Sequence, residues 1–216
     1  MPEKLVDEAH EHHFRVVIYG SARLQEETPE HQRIFRLAKM IGERGFDVVT
    51  GGGPGLMEAA MAGHHAGKGD NDSHEIGLQI KLPLEQRDSK HLDVKEEFER
   101  FSDRLDTFIS LANVVVVAPG GIGTALELFY TWQLVQVKHA CKTPIILLGD
   151  QWAELIEWVK KWPLKRKLMD EKDLGMIHIV SDCDEAIEVI DEAHAAHLKG
   201  GKSACLNIKK YKIKSI

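Results

Sequence analysis

Cysteine is scarce in this chain, and its few cysteines are far apart. The 216 residues contain three, namely Cys141, Cys183 and Cys205. Their odd number and wide spacing argue against a disulfide framework and against a CxxC metal knuckle. A reducing compartment is the simplest explanation of this pattern, so we predict that the protein is cytoplasmic.

Long hydrophobic runs are also missing. The longest aliphatic runs, 114–118 and 145–148, are far too short to cross a bilayer. The segment 1–13 is polar and mixed in charge, without the apolar stretch of a signal peptide. We therefore expect no association with a membrane.

An excess of positive charge is the third absence. The formal net charge is −6, and aromatic residues make up only 6% of the chain. A duplex-binding protein normally has a basic face, and a single-strand binder needs aromatic side chains on which bases stack. We therefore expect no nucleic-acid polymer as a partner, and we interpret the lysine-rich segment 199–216 as a solvated basic tail.

Short β-rich runs alternate with longer helical segments along the rest of the chain. Compact aliphatic strands, each followed by a helix, indicate a parallel sheet that is covered on both faces. We predict an α/β fold, a Rossmann-like doubly wound parallel sheet, in a single domain (14–198) between an N-terminal arm (1–13) and the tail. The predicted strands are 15–19, 47–50, 75–82, 113–118, 143–148 and 177–180. The predicted helices are 30–44, 54–66, 95–111, 124–140, 151–160 and 184–198.

Two glycine-rich loops each connect a predicted strand to a helix. Glycine lets the backbone approach an anion closely, and the N-terminus of the next helix offers unpaired N–H groups. One such loop is equally well explained as a tight packing turn, but two of them in one small domain favour a phosphate site. The candidate residues are Gly51, Gly52, Gly53, Gly55 and Met57 in the first loop and Gly120, Gly121, Gly123 and Thr124 in the second.

Two charged residues near these loops each have two interpretations. Glu127 follows Thr124 by three residues, a spacing that either forms a capping box or places a carboxylate beside the phosphate loop. Arg104 flanks the apolar stripe of its predicted helix. It either covers apolar surface with its stem or directs its guanidinium at a carboxylate or phosphate. Spacing alone does not decide between these interpretations.

The histidines do not predict a metal site. His10, His12 and His13 stand in one short run, and His64 and His65 are adjacent on a predicted helix. Neighbouring residues on a helix point apart, and no carboxylate or cysteine completes a ligand set for either group. We therefore expect no bound metal.

Taken together, the motifs resemble those of the Lonely Guy family, whose members often carry the label of possible lysine decarboxylases. The family pattern PGGxGTxxE is matched by 119–127, and its GGGxGLM-type loop is matched by 51–57. Arg104 precedes Pro119 by fifteen residues, as the catalytic arginine does in that family. Gly20 and Ser21 after the first strand, and 82–86 after the third, resemble the longer bacterial branch of the family.

The resemblance implies a nucleoside 5′-monophosphate phosphoribohydrolase. Such an enzyme hydrolyses the N-glycosidic bond of a cytokinin riboside monophosphate or an AMP-like nucleotide, and it needs no metal or organic cofactor. Glu127 would stabilise positive charge on the sugar and activate water, while Arg104 would orient Glu127. The glycine loops and Thr124 would hold the 5′-phosphate, and Gly20 and Ser21 would also contact the nucleotide. The alternative is a protein of the same fold that binds a nucleotide or a molybdopterin cofactor without cleaving it.

The predicted helix 124–140 also bears on assembly. Apolar residues surround it almost completely, and a helix that is apolar on all sides needs cover on all sides. One face of a sheet covers only part of it, so we expect a homodimer, as the family resemblance also implies. The residues concerned are Leu126, Leu128, Phe129, Trp132, Leu134, Val135 and Val137.

Overall fold

A computed structural model describes residues 13–81, 89–200 and 207. Within these ranges a seven-stranded sheet is flanked by six α-helices. The strands are β1 (Arg15–Tyr19), β2 (Asp47–Thr50), β3 (Glu75–Ile80), β4 (Val94–Phe98), β5 (Val114–Val117), β6 (Ile145–Leu148) and β7 (Ile177–Val180). The helices are α1 (Pro29–Gly42), α2 (Leu56–Lys68), α3 (Phe101–Leu111), α4 (Ile122–Gln136), α5 (Asp150–Val159) and α6 (Cys183–Gly200).

The topology is that of a doubly wound sheet, as predicted. All neighbouring strands run parallel, in the order β4-β3-β2-β1-β5-β6-β7. The chain moves outward from β1 in one direction and then returns to place β5 on the other side of β1. Tyr19 and Val117 pair at the carboxyl ends of these two strands. Ligands of open α/β sheets bind in the crevice at such a reversal point.

Alternating side chains of the strands supply two hydrophobic layers. Val16 and Ile18 of β1 pack with helices α1, α2 and α6, whereas Val17 and Tyr19 pack with α3, α4 and α5. All residues of β1, β2, β5 and β6 are buried. The predicted cover on both faces of the sheet is therefore confirmed, and it holds the strand ends in a fixed arrangement.

One predicted helix is wrong in its first third. The sequence predicts a helix over 95–111, but Val94–Phe98 is the edge strand β4, and α3 begins only at Phe101. Lysine and glutamate are good helix formers, so this segment resembles the start of a helix. Its inward side chain Val94 is buried against β3 while its charged side chains lie at the outer edge, where charge is common on strands.

Two absences noted in the sequence have different outcomes. The expectation of no disulfide is wrong, because Cys141 is disulfide-bonded, whereas Cys183 is buried and free. Separation along the chain does not measure separation in space, so cysteine spacing no longer supports a reducing compartment. Among the described residues, no helix combines the length and the apolar character that a membrane span requires.

Candidate active site

A cavity of about 600 Å³ lies at the reversal point of the sheet, bounded by the loops that follow β1, β2 and β5. Its volume is in the range of small-molecule sites. Of the predicted site residues, those that line it are Gly20, Ser21, Gly51, Met57, Arg104, Gly121, Gly123, Thr124 and Glu127. The topology thus brings together residues from four separate segments of the chain.

The other predicted glycines do not line the cavity but pack within the loops that bound it. Gly52, with φ of 66°, accepts hydrogen bonds from Gln79 Nε2 and from the backbone N–H of Ser89. Gly55, with φ of 70°, packs so tightly that an added Cβ would lie 2.5 Å from the carbonyl oxygen of Ser21. Gly53 lies against Met57 and Gly120 against Thr124 in the same way. These four glycines shape the cavity, whereas Gly121 and Gly123 have open space beside them.

Arg104 is buried rather than laid along the surface. It is 8% exposed, and its guanidinium lies 4.8 Å from the ring centroid of Phe108. Its Nε donates to the carbonyl of Leu78 at 2.6 Å, and its Nη1 donates to Glu127 Oε1 at 3.0 Å. A Cβ on Gly51 would lie 2.5 Å from Arg104 Nη2, so only glycine admits the guanidinium here. The two acceptors fix the guanidinium plane and direct it at the carboxylate.

Glu127 belongs to the cavity and does not cap its helix. Helix α4 begins at Ile122, its N-cap is Gly121, and no side chain caps it. Thr124 therefore lies inside the first turn, and the capping-box interpretation is wrong. Burial raises the pKa of the Glu127 carboxyl, and the charge and hydrogen bond of Arg104 oppose that rise only in part. A carboxylate in this setting is a stronger base than an exposed glutamate.

The N-terminus of α4 offers an anion site beside Glu127. The first hydrogen bond of the helix runs from Ala125 N–H to the Gly121 carbonyl. The preceding N–H groups, those of Ile122, Gly123 and Thr124, are the donors that a helix start leaves unpaired within the helix. Together with the positive end of the helix dipole, they suit a phosphate group.

Sequence reasoning missed Tyr19. This residue ends β1, lines the cavity, and bonds through its hydroxyl to Thr131 Oγ1 at 3.2 Å. Its burial, and then the charge of Glu127, hold its pKa above the ordinary value despite opposing contributions from Thr131 and Arg104. The available signal was its place directly before Gly20, at a strand end where ligands bind.

Comparison with known proteins agrees with the motifs. The family model described as "Possible lysine decarboxylase" matches residues 57–190. A curated relative, the pyrimidine/purine nucleotide 5′-monophosphate nucleosidase of Escherichia coli K12, is 32% identical over 146 residues. That match covers 63% of this chain but only 31% of the relative, so the chain spans about a third of the length of that protein.

Solved structures of two cofactor-binding proteins share the fold. The molybdenum cofactor carrier protein of Chlamydomonas reinhardtii has a TM-score of 0.62 and 25% identity, covering 85% of this chain and 99% of its own. The molybdenum cofactor binding protein of Rippkaea orientalis has a TM-score of 0.65 and 19% identity, covering 85% and 98%. The family match spans more than half of the chain and includes Arg104 and the second glycine loop with Glu127, whereas residues 51–56 of the first loop precede it. This chain therefore belongs to the possible lysine decarboxylase family, which confirms its resemblance to the Lonely Guy proteins.

Proposed function

We propose that this protein hydrolyses the N-glycosidic bond of a nucleoside 5′-monophosphate. The observation that carries the proposal is the carboxylate of Glu127, which is 12% exposed and accepts a hydrogen bond from Arg104 at 3.0 Å on the wall of a cavity at the sheet reversal. A lysine decarboxylase would need a lysine that forms a Schiff base with its cofactor. None of the described residues that line the cavity is a lysine.

The 5′-phosphate occupies the N-terminus of α4. The N–H groups of Gly123 and Thr124 face this anion, and the open space beside Gly121 and Gly123 lets it approach the backbone. Gly20 and Ser21 close the site from the loop after β1. This arrangement leaves the ribose over Glu127 and directs the base toward the outer part of the cavity.

The reaction breaks the bond between C1′ and the base nitrogen, and a water oxygen bonds to C1′. Positive charge develops on the sugar as the bond breaks, and the Glu127 carboxylate stabilises it. Glu127 also accepts a proton from the attacking water, and this proton is then transferred to the departing base nitrogen, so that one water molecule is consumed. The products are the free base and ribose 5-phosphate. Arg104 keeps the carboxylate oriented and ionised.

A panel of nucleotides tests the proposal. AMP, a cytokinin riboside monophosphate and other nucleoside monophosphates are incubated with the protein beside the matching nucleosides, and free base and ribose 5-phosphate are measured. We expect release of base from at least one nucleotide and at least a hundredfold lower kcat/KM for its nucleoside. Equal kcat/KM for the two would contradict the assignment of the phosphate to α4.

Binding without cleavage is the second candidate function. The observation that favours it is the likeness to the molybdenum cofactor carrier of Chlamydomonas reinhardtii over nearly the whole of that protein. The same panel separates the two functions. Tight binding of a nucleotide or a molybdopterin cofactor, with no base released from any nucleotide, would support a carrier and overturn the hydrolase.

We also propose that a second copy of the chain covers one face of α4. Ile122, Leu126 and Phe129 lie on one side of this helix and are 89%, 46% and 42% exposed. Ile122 also lines the cavity, so the partner would lie beside the site. Trp132, in contrast, is buried within the subunit and donates to the Asp173 carbonyl at 2.8 Å. It belongs to the core and not to the exposed face.

The substitution Phe129→Asp tests the dimer. A charge in an apolar interface is costly, so we expect the wild type to be a dimer at micromolar concentration and the variant to be a monomer in light scattering. Trp158→Asp is the matched control, because Trp158 is 51% exposed on α5 and should leave the dimer intact. A monomeric wild type would contradict this proposal.

A further inference from the structure

A cluster of two histidines and an aspartate lies at the amino edge of the sheet, opposite the cavity. His13 precedes β1, Asp47 begins β2, and His74 precedes β3. Because parallel strands start at the same edge, the topology brings these three residues together from distant parts of the sequence. Their ligand atoms all lie within 4.8 Å of one another. Asp47 and His74 are distant from His13 in sequence, so the histidine runs alone did not predict this cluster.

The distances within the cluster match those around a tetrahedral metal. Asp47 Oδ1 lies 3.1 Å from His13 Nδ1 and 3.6 Å from His74 Nδ1. Tetrahedral zinc with bonds of about 2.1 Å separates its ligand atoms by about 3.4 Å. The two imidazole rings are 5.5 Å apart between centroids and tilted by 52°, and each has its Nδ1 within 3.6 Å of Asp47 Oδ1.

The carboxylate is held in place for this role. The Asp47 side chain is 1% exposed, and the backbone N–H of His74 donates to its Oδ1 at 3.0 Å. Its Oδ2 lies 3.3 Å from Arg15 Nε but accepts no hydrogen bond in the part of the chain that the structure describes. Buried carboxylates are normally paired through good hydrogen bonds or bound to a metal. His13 and His74 are 29% and 34% exposed, so an ion can reach them from solvent.

We propose that His13, Asp47 and His74 bind a divalent transition-metal ion, zinc being the best fit. Two imidazole nitrogens and one carboxylate oxygen form a donor set that suits zinc, and water completes the tetrahedron. The site lies across the sheet from the proposed active site. It therefore ties the starts of three central strands together and takes no part in the proposed hydrolysis.

Zinc titration of tag-free protein, freed of metal with a chelator, tests the proposal. By calorimetry we expect one zinc ion per chain, and by absorption the cobalt-substituted protein should show the intense visible bands of tetrahedral coordination. His13→Gln and His74→Gln should each weaken zinc binding at least tenfold. His74 donates to Asp47 through its backbone N–H, so the side-chain substitution preserves this hydrogen bond.

His139→Gln is the matched control, because His139 is exposed in the segment between α4 and β6, outside the cluster. It should bind zinc like the wild type. Zinc should also raise the melting temperature of the wild type and of this control but not that of His74→Gln. Absence of stoichiometric binding in the wild type would overturn the proposal. So would unchanged binding in His74→Gln, which would assign the metal to the histidine run near the N-terminus.

Discussion

Two buried glutamates at opposite edges of the same sheet have very different surroundings. Glu75 begins β3 at the amino edge, and both of its oxygens are engaged, Oε1 with His64 Nδ1 at 2.8 Å and Oε2 with Lys68 Nζ. Glu127 faces the cavity at the carboxyl edge, and Arg104 is its hydrogen-bond partner within the described residues. A carboxylate whose oxygens are both occupied can only hold structure. One that keeps an oxygen toward a cavity is available for chemistry.

The network around Glu75 is complete on every side. His64 is fully buried, with Nδ1 opposite Glu75 and Nε2 opposite the carbonyl of Phe46 at 2.8 Å. Ser73 Oγ also lies 3.3 Å from Nε2, so both ring nitrogens have hydrogen-bond partners. Lys68 continues the network to Asp93 at 2.7 Å. The adjacent histidines of α2 thus have a structural explanation at His64.

Replacement of Glu127 should produce the largest effect on activity. Glu127→Gln keeps the size of the side chain but removes its charge, so kcat should fall by about 10²–10⁴-fold while the melting temperature changes little. Steady-state kinetics and thermal unfolding measure the two effects. The matched control is Glu185→Gln, because Glu185 lies in the first turn of α6, where its carboxylate accepts from Ser181 N–H at 2.8 Å, away from the cavity. It should cost about 1 kcal/mol of stability and leave turnover intact. Near-normal turnover in Glu127→Gln would refute the mechanism.

Replacement of Glu75 should have the opposite outcome. Glu75→Gln removes the buried charge that pairs with Lys68 and weakens the contact with His64 Nδ1, so the free energy of unfolding should fall by about 3 kcal/mol. Turnover per folded molecule should not change, because the network lies at the amino edge of the sheet and the cavity at the carboxyl edge. Urea unfolding and kinetics at a temperature where the variant is folded test both statements. A loss of turnover without a loss of stability would contradict a purely structural role for Glu75.

The two edges of the sheet differ in how well their features could be predicted from the sequence. Aliphatic strands and glycine loops identify the carboxyl edge, because each loop directly follows its strand. The contact between Arg104 and Glu127 depends on how α3 and α4 pack against each other, which no local pattern encodes. The helix positions of these residues allowed a cap and a surface arginine equally well.

The amino edge was less predictable than the carboxyl edge. Its functional groups, such as Glu75 and Asp47, begin strands and meet partners from other segments, so they form no sequence motif. The strand β4 was wrongly predicted as helix for a related reason. It lies at the edge of the sheet, where Val94 is its one buried residue and lysine and glutamate dominate the rest. The features that sequence predicts are those whose partners lie within a few residues.

Replacement of Arg104 tests how this residue acts on Glu127 at the carboxyl edge of the sheet. Arg104→Lys keeps a charge but cannot donate to both Leu78 and Glu127, so kcat should fall at least about tenfold. Arg104→Met also removes the charge that opposes the burial-induced rise in the Glu127 pKa. The ascending limb of its pH–rate profile should therefore move to higher pH, whereas that of Arg104→Lys should stay closer to the wild type. Identical limbs in both variants would contradict the electrostatic role of Arg104.

Replacement of Asp93 should have the smallest effect, and it depends on pH. Burial alone would raise the pKa of Asp93, but its hydrogen bonds with Glu75 and Lys68 hold that pKa well below its usual value. A carboxyl whose pKa is lower in the folded state stabilises the protein above its unfolded pKa, and this contribution is lost as the pH falls toward the folded value. Asp93→Asn should therefore cost at most about 1 kcal/mol at pH 7, because Asp93 is 40% exposed and solvent screens the pair. The difference from the wild type should shrink between about pH 5 and about pH 3.

Asp70→Asn, in an exposed position, is the control and should follow the wild type at every pH. Urea unfolding across this range measures the difference, and a cost that does not vary with pH would mean that the Asp93 charge adds nothing to the network.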